Sequence, residues 1–98
     1  MKKSIIALIV LTALVAIAQA ESLTKQGVVF SENNGKYWRV GKITDAGVKI
    51  VGAIIPADES SKISSFDGKM VIVTGEKDDT WTGNIPKFKA GFTVQEVQ

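Results

Sequence analysis

Nine glycines and two prolines punctuate this chain, and all of them lie after residue 20. They separate short runs rich in Val, Ile, Phe, Tyr and Trp. Short β-branched and aromatic runs between turn residues are the pattern of several brief strands. No stretch beyond residue 20 keeps a helical apolar period over ten or more residues, so an all-β domain is expected.

The first twenty residues read differently. Lys2 and Lys3 give a positive start, residues 5–17 are apolar apart from Thr12, and Ala18-Gln19-Ala20 places small residues at the −3 and −1 positions. That is the layout of a secretory signal peptide, cleaved after Ala20. The apolar run is short for a membrane span, which needs about 20 residues. Residue 21 is Glu, so no lipid-bearing cysteine follows the cleavage point. The expected product is a single domain of residues 21–98 in the periplasm or the medium, without a membrane span or a lipid anchor.

The processed chain has 78 of the 98 residues and no cysteine, so packing and hydrogen bonds alone must hold it. A domain of this size buries only about 60% of its unfolded surface. Its charge also changes on processing. The precursor has twelve Lys and Arg against ten Asp and Glu. Removing Lys2 and Lys3 leaves ten against ten, and a neutral domain exerts no general pull on nucleic acid or anionic membrane.

Five strands and one helix are expected. The first strand covers 26–31 and turns at Asn33-Asn34-Gly35, since Asn-Gly accepts positive φ at both central turn positions. The second covers 36–44, with Trp38 and Val40 on one face and Tyr37, Arg39 and Ile43 on the other. The third covers 48–55. Its near-continuous apolar sequence predicts a central strand covered on both faces, with Val51 on the same side as Ala53. Gly52 in its middle predicts a bulge or bend. A short helix over 58–66 is anchored by Ile63 and Phe66 and stopped by Asp67-Gly68. The fourth strand, 69–76, is again apolar enough to predict two covered faces. Residues 80–91 are irregular, and 92–97 form the last strand, with Phe92 and Val94 alternating against Thr93 and Gln95.

This order suits a small closed five-stranded Greek-key barrel of OB-fold type, with an SH3-like barrel as the alternative. The passage Ile63-Ser64-Ser65-Phe66-Asp67-Gly68-Lys69-Met70-Val71-Ile72-Val73-Thr74-Gly75 resembles the helix-to-strand segment of small exported bacterial OB-fold-like proteins. Gly27-Val28-Val29, Gly35-Lys36-Tyr37 and Phe92-Thr93-Val94-Gln95-Glu96-Val97 fall where such proteins place other strands, while the stretch from Trp81 to Gly91 is longer than their usual pattern. The resemblance implies a non-enzymatic binding module of the bacterial envelope.

The chain has no His and no Cys, which excludes thiolate catalysis, His-assisted serine catalysis and His/Cys zinc sites. It also has no phosphate-binding loop and no dinucleotide fingerprint. No catalytic residue, metal ligand or cofactor is assigned. Glu76, Asp78 and Asp79 lack the spacing of a calcium loop and read as a solvated turn. The candidate binding residues are the aromatics Tyr37, Trp38, Trp81 and Phe88 with the nearby cations Arg39, Lys42, Lys87 and Lys89. Barrels of this class bind oligosaccharides or oligonucleotides on the face of strands two and three and in adjacent loops. An envelope glycan, a small molecule or a protein fits the exported context. Nucleic acid fits it poorly, and pairing with a partner through an edge strand is a further option. Mass spectrometry of the exported protein is expected to give the mass of residues 21–98, and an uncleaved N-terminus would contradict the leader assignment.

Overall fold

A computed structural model describes residues 21–98; the proposed leader lies outside the described residues. The chain forms β1 (Ser22–Glu32), β2 (Tyr37–Ile43), β3 (Lys49–Ile54), a helical segment, β4 (Met70–Glu76) and β5 (Thr93–Glu96). The helical segment is a single α-turn, α1 (Ser60–Ile63), between 3-10 turns at Ala57–Glu59 and Ser64–Phe66. All strand pairs are antiparallel, in the order β3-β2-β1-β4-β5. The fold is therefore a five-stranded sheet with one short helix, not closed into the barrel anticipated from the sequence. Among the described residues no helix is long and apolar enough to cross a membrane.

The turn between β1 and β2 follows from its residues. Lys36 N–H donates to Asn33 C=O at 3.3 Å, and Asn34 and Gly35 between them both have positive φ. Asn33 is left-handed as well, which Asn tolerates better than most residues. β1 starts four residues earlier than the sequence suggests because Ser22, Leu23, Thr24 and Lys25 find partners on β4. A paired partner, not the strand's own propensity, extends it.

One face of the sheet carries the core. Val29, Trp38, Val40, Ala53, Val71 and Val73 meet Ile55, Ile63, Phe88 and Phe92, with Leu23, Phe66 and Val94 packed around them. Ile63 and Phe66 are the anchors expected of the helical segment, and they seat it against this face. Fully burying a side chain of the size of Phe88 or Ile63 contributes about 1.5–3 kcal/mol, so a few such residues carry a domain without disulfides. Phe30 is also buried but stands outside this cluster. It follows Val29 in an extended strand and so faces the other way. The Lys49 ammonium lies 5.5 Å from the Phe30 ring centroid.

Three strands come close together where three glycines meet. Gly27, Gly41 and Gly52 lie on β1, β2 and β3. A Cβ on Gly27 would stand 2.5 Å from the Gly41 carbonyl oxygen. One on Gly41 would stand 2.0 Å from the Ile50 carbonyl oxygen and 2.9 Å from the Gly52 nitrogen. The β2–β3 register skips one residue here: Val40 pairs with Ala53, but Gly41 pairs with Val51. Gly52 is the extra residue of a bulge, as its position in an apolar strand suggested.

The bulge also corrects two expectations for β3. It breaks the alternation, so Val51 falls in register with Gly41 while Ala53 falls in register with the core residue Val40. And β3 is an edge strand, not a central one, with Val48 and Ile50 exposed. β4 is covered on one face only: Val71 and Val73 are buried, while Met70 is exposed and Ile72 half-buried.

A strap of irregular chain then links distant parts of the sheet. Ile54 N–H donates to Pro86 C=O at 2.9 Å and Phe88 N–H to Ile54 C=O at 3.0 Å, a parallel bridge to the end of β3. Asp78 N–H donates to Lys87 C=O and Lys89 N–H to Glu76 C=O, both at 2.9 Å, an antiparallel bridge just beyond the end of β4. Between these bonds the strap inserts Phe88 fully into the core. Gly41→Ala is expected to destabilise the protein by more than about 3 kcal/mol, because its Cβ meets backbone that cannot step aside. Gly47→Ala is expected to lose only about 1–2 kcal/mol, since that glycine has positive φ but open space around it. Urea titration of the two variants measures the difference, and equal losses would contradict the close packing of the three strands.

Candidate functional site

The strap and the loop before it build one wall of a groove, and the outer part of β2 and the end of β3 build the other. The groove holds about 180 Å³ and is lined by Tyr37, Arg39, Ile54, Ile55, Ala57, Trp81 and Lys87. Residues more than forty positions apart meet here because the Ile54–Lys87 bridge joins their backbones.

Trp81 is 40% exposed yet firmly placed. Its indole N–H donates to Ile85 C=O at 2.7 Å, so the polar end of the ring is satisfied within its own loop. Gly83 lies against the ring: a Cβ there would stand 2.8 Å from Nε1. The Lys87 ammonium sits 5.2 Å from the ring centroid. A cation near an aromatic ring contributes about 0.5–1 kcal/mol at an exposed site. The start of the loop is held by Asp78, whose Oδ1 accepts from the Thr80 hydroxyl at 2.6 Å and the Thr80 N–H at 3.0 Å. Trp81 N–H then donates to Asp78 C=O at 3.2 Å. These local bonds do the work that a regular strand would do elsewhere.

Tyr37 and Arg39 are two residues apart on β2 and so share a face. Arg39 is 19% exposed at its side chain and is held from two directions. Its Nε lies 3.3 Å from Glu32, and its Nη1 donates to Trp38 C=O at 3.1 Å. The guanidinium and the Lys36 ammonium each lie 5.5 Å from the Tyr37 ring centroid. The groove thus has two aromatic rings and two cations in its lining, and no carboxylate.

Of the eight residues selected from the sequence, Tyr37, Arg39, Trp81 and Lys87 converge on this groove. Trp38 and Phe88 belong to the core, 8% and 0% exposed, and offer no ring face to a ligand. Lys42 lies beside a different groove with Gln26, Val28, Ile43 and Met70. Lys89 points to Glu76, 3.9 Å away, in an exposed pair. Ile54, Ile55 and Ala57 carry no sequence signal, since nothing in an apolar strand end marks it as the floor of a groove. The Pro56 turn was the one available signal that the chain changes direction there.

The acidity of Asp78 is shifted by its own turn. The Thr80 hydroxyl and then the Thr80 N–H hold it below the ordinary carboxylate value of 3.8, and Lys87 and Lys89 add to the effect. Comparison with protein-family models, curated proteins and solved structures gives no match. The site therefore stands on its geometry.

A carboxyl whose pKa is depressed by folding holds its structure fully above the unfolded value and loses that contribution as pH falls through the folded one. The 78–81 turn is thus expected to be intact above pH 3.8 and to loosen below it. The Trp81 indole N–H resonance followed by NMR checks this: it should move with the Thr80 amide in that acidic range while Val71 and Val73 amides stay put. An indole resonance unmoved as Asp78 titrates would contradict the coupling.

Proposed function

We propose that the protein is an exported, non-enzymatic binding module of the bacterial envelope, and that its ligand is a saccharide ring carrying an acidic substituent. The ring would lie against Trp81 and Tyr37, and the acid would meet Lys87 and the unengaged edge of the Arg39 guanidinium. One observation carries the reading: four of the aromatic and basic residues distinguishable by sequence share a groove whose lining contains no carboxylate. Lys87 strengthens it, since among the described residues its ammonium has no carboxylate partner and rests on the Trp81 ring.

An OB-type strand arrangement, left open and not closed into a barrel, is the finer fold that fits this proposal. Three features support it: β1 is shared between β2 and β4, the helical segment lies between β3 and β4, and the strap before β5 pairs in parallel with β3. OB-type barrels bind oligosaccharides and oligonucleotides at the face of strands two and three and in the loop between strands four and five. The groove uses those two elements. Oligonucleotides are the weaker fit, because phosphate tracking needs an extended run of cations and the domain is neutral overall.

NMR titration of the processed protein tests the proposal, using a uronic-acid oligosaccharide, its neutral counterpart and a short single-stranded DNA. The acidic saccharide is expected to shift residues 37–39, 54–57 and 81–87. Aromatic stacking is worth about 1–3 kcal/mol where measured for bases, so Trp81→Ala should weaken binding by roughly tenfold or more. Equal binding of the neutral sugar would contradict the acidic substituent. Binding of the DNA alone, with steep salt dependence, would replace the proposal by a nucleic-acid one, and no shift with any ligand would reject the groove as a saccharide site.

A further inference from the structure

Asn34-Gly35 and Asp67-Gly68 each put a side-chain carbonyl carbon beside the backbone nitrogen of a glycine, which has no Cβ to hinder attack. Both can close to a cyclic imide, the first by losing ammonia and the second by losing water. The structure separates them. Gly68 N–H donates to Val29 C=O at 2.8 Å, within the bridge that joins Asp67 to β1. That nitrogen is engaged and held in place. Among the described residues Gly35 N–H has no hydrogen-bond partner, and neither has the Asn34 side-chain amide.

The turn around Asn34 is also open. Residues 33–36 are all exposed, and nothing lies within 4 Å of where a Gly35 Cβ would stand. One backbone bond closes it, from Lys36 N–H to Asn33 C=O, and at 3.3 Å it is long for an amide bond. Asn33 and Asn34 both hold positive φ, which L residues adopt reluctantly. A solvent-exposed turn held by one long bond opens readily.

We propose that Asn34 is a site of spontaneous deamidation, and that the reaction loosens the Tyr37 wall of the groove. The Gly35 nitrogen bonds to Asn34 Cγ. The bond from Cγ to the amide nitrogen breaks, and ammonia leaves with the proton of the Gly35 N–H. Water then adds to either carbonyl of the imide. Breaking the new bond at Cγ leaves an aspartyl residue at position 34. Breaking the bond at the backbone carbonyl leaves an isoaspartyl residue, with one more methylene in the main chain. Each product is a carboxylate with a proton released, and nothing is oxidised or reduced. Glu32 pairs with Tyr37 across this turn, and Arg39 lies 3.3 Å from Glu32. An added methylene disturbs the pairing that places Tyr37. An added carboxylate attracts Lys36, whose ammonium lies 5.5 Å from the Tyr37 ring centroid. This inference does not depend on which ligand the groove takes.

Incubating the processed protein at mildly alkaline pH, which helps the Gly35 nitrogen lose its proton, and then mapping its peptides tests it. The peptide holding residues 33–36 should gain the mass of OH in place of NH2 and split into two chromatographic forms, one of them isoaspartyl. The peptide holding Asp67 and Gly68 should stay unchanged until the protein is denatured. In the product the Glu32 and Tyr37 amide resonances should move while those of Val71 and Val73 stay put. Asn34→Gly removes the reacting amide but suits positive φ, so it should fold and give no product. A folded parent that stays intact at Asn34 would overturn the inference, as would isoaspartyl formation at Asp67 in the folded protein as fast as at Asn34. A deamidated product with Glu32 and Tyr37 resonances unmoved would overturn the effect on the groove wall.

Discussion

The close approach of three backbones at Gly27, Gly41 and Gly52 is the constraint on which the rest of the structure rests. Ordinary strands lie about 4.8 Å apart and leave room for a Cβ at every position. At Gly41 that room is gone, with the Ile50 carbonyl oxygen 2.0 Å from where a Cβ would be. The strands come this close because these positions carry no side chain, and the bulge at Gly52 increases the local twist. Beyond this point β3 turns its Ala53 and the following Ile55 into the core, and Ile54 reaches the strap.

Much follows from the strap. A small domain without disulfides needs its irregular segments to contribute to the core, and this one does so through Phe88. The same four backbone hydrogen bonds that seat Phe88 also hold Lys87 beside the groove. Trp81 is then fixed from its own side by Asp78, Gly83 and Ile85. Core packing and site geometry are therefore linked. The groove is built on paired backbone at its base, and the exposed Trp81 ring is restrained by a local bond, so a ligand would meet a surface already largely ordered on that side.

Local features were the part of the fold legible in the sequence. The Asn34-Gly35 turn, the bulge at Gly52, the Ile63 and Phe66 anchors and the alternation of Phe92 and Val94 each depend on a few adjacent residues, and each is present. Features decided by distant partners were not. Val48 to Ile55 and Met70 to Val73 read as strands covered on both faces, because apolar composition does not say which face finds a neighbour. Val48, Ile50 and Met70 found none. Gly41 gave no warning either, as a glycine before Lys42 and Ile43 looks like any strand glycine. For the site, residue chemistry singled out Tyr37, Arg39, Trp81 and Lys87, and these four line one groove. It did not separate them from Trp38 and Phe88, which the core takes. An aromatic ring is equally suited to stacking and to packing, and the register of β2 and of the strap decides between them.

Native-state hydrogen exchange at Ile54, Asp78, Phe88 and Lys89 tests the account most directly. These four amides donate the bonds that join the strap to the sheet, at 2.9–3.0 Å. If the sheet and the strap form one cooperative unit, all four should exchange as slowly as Val71 and Val73 in the core strand, through global unfolding. Fast exchange at Ile54 and Phe88 beside slow exchange in β4 would mean that the strap opens independently, and the groove would then not be the ordered surface described.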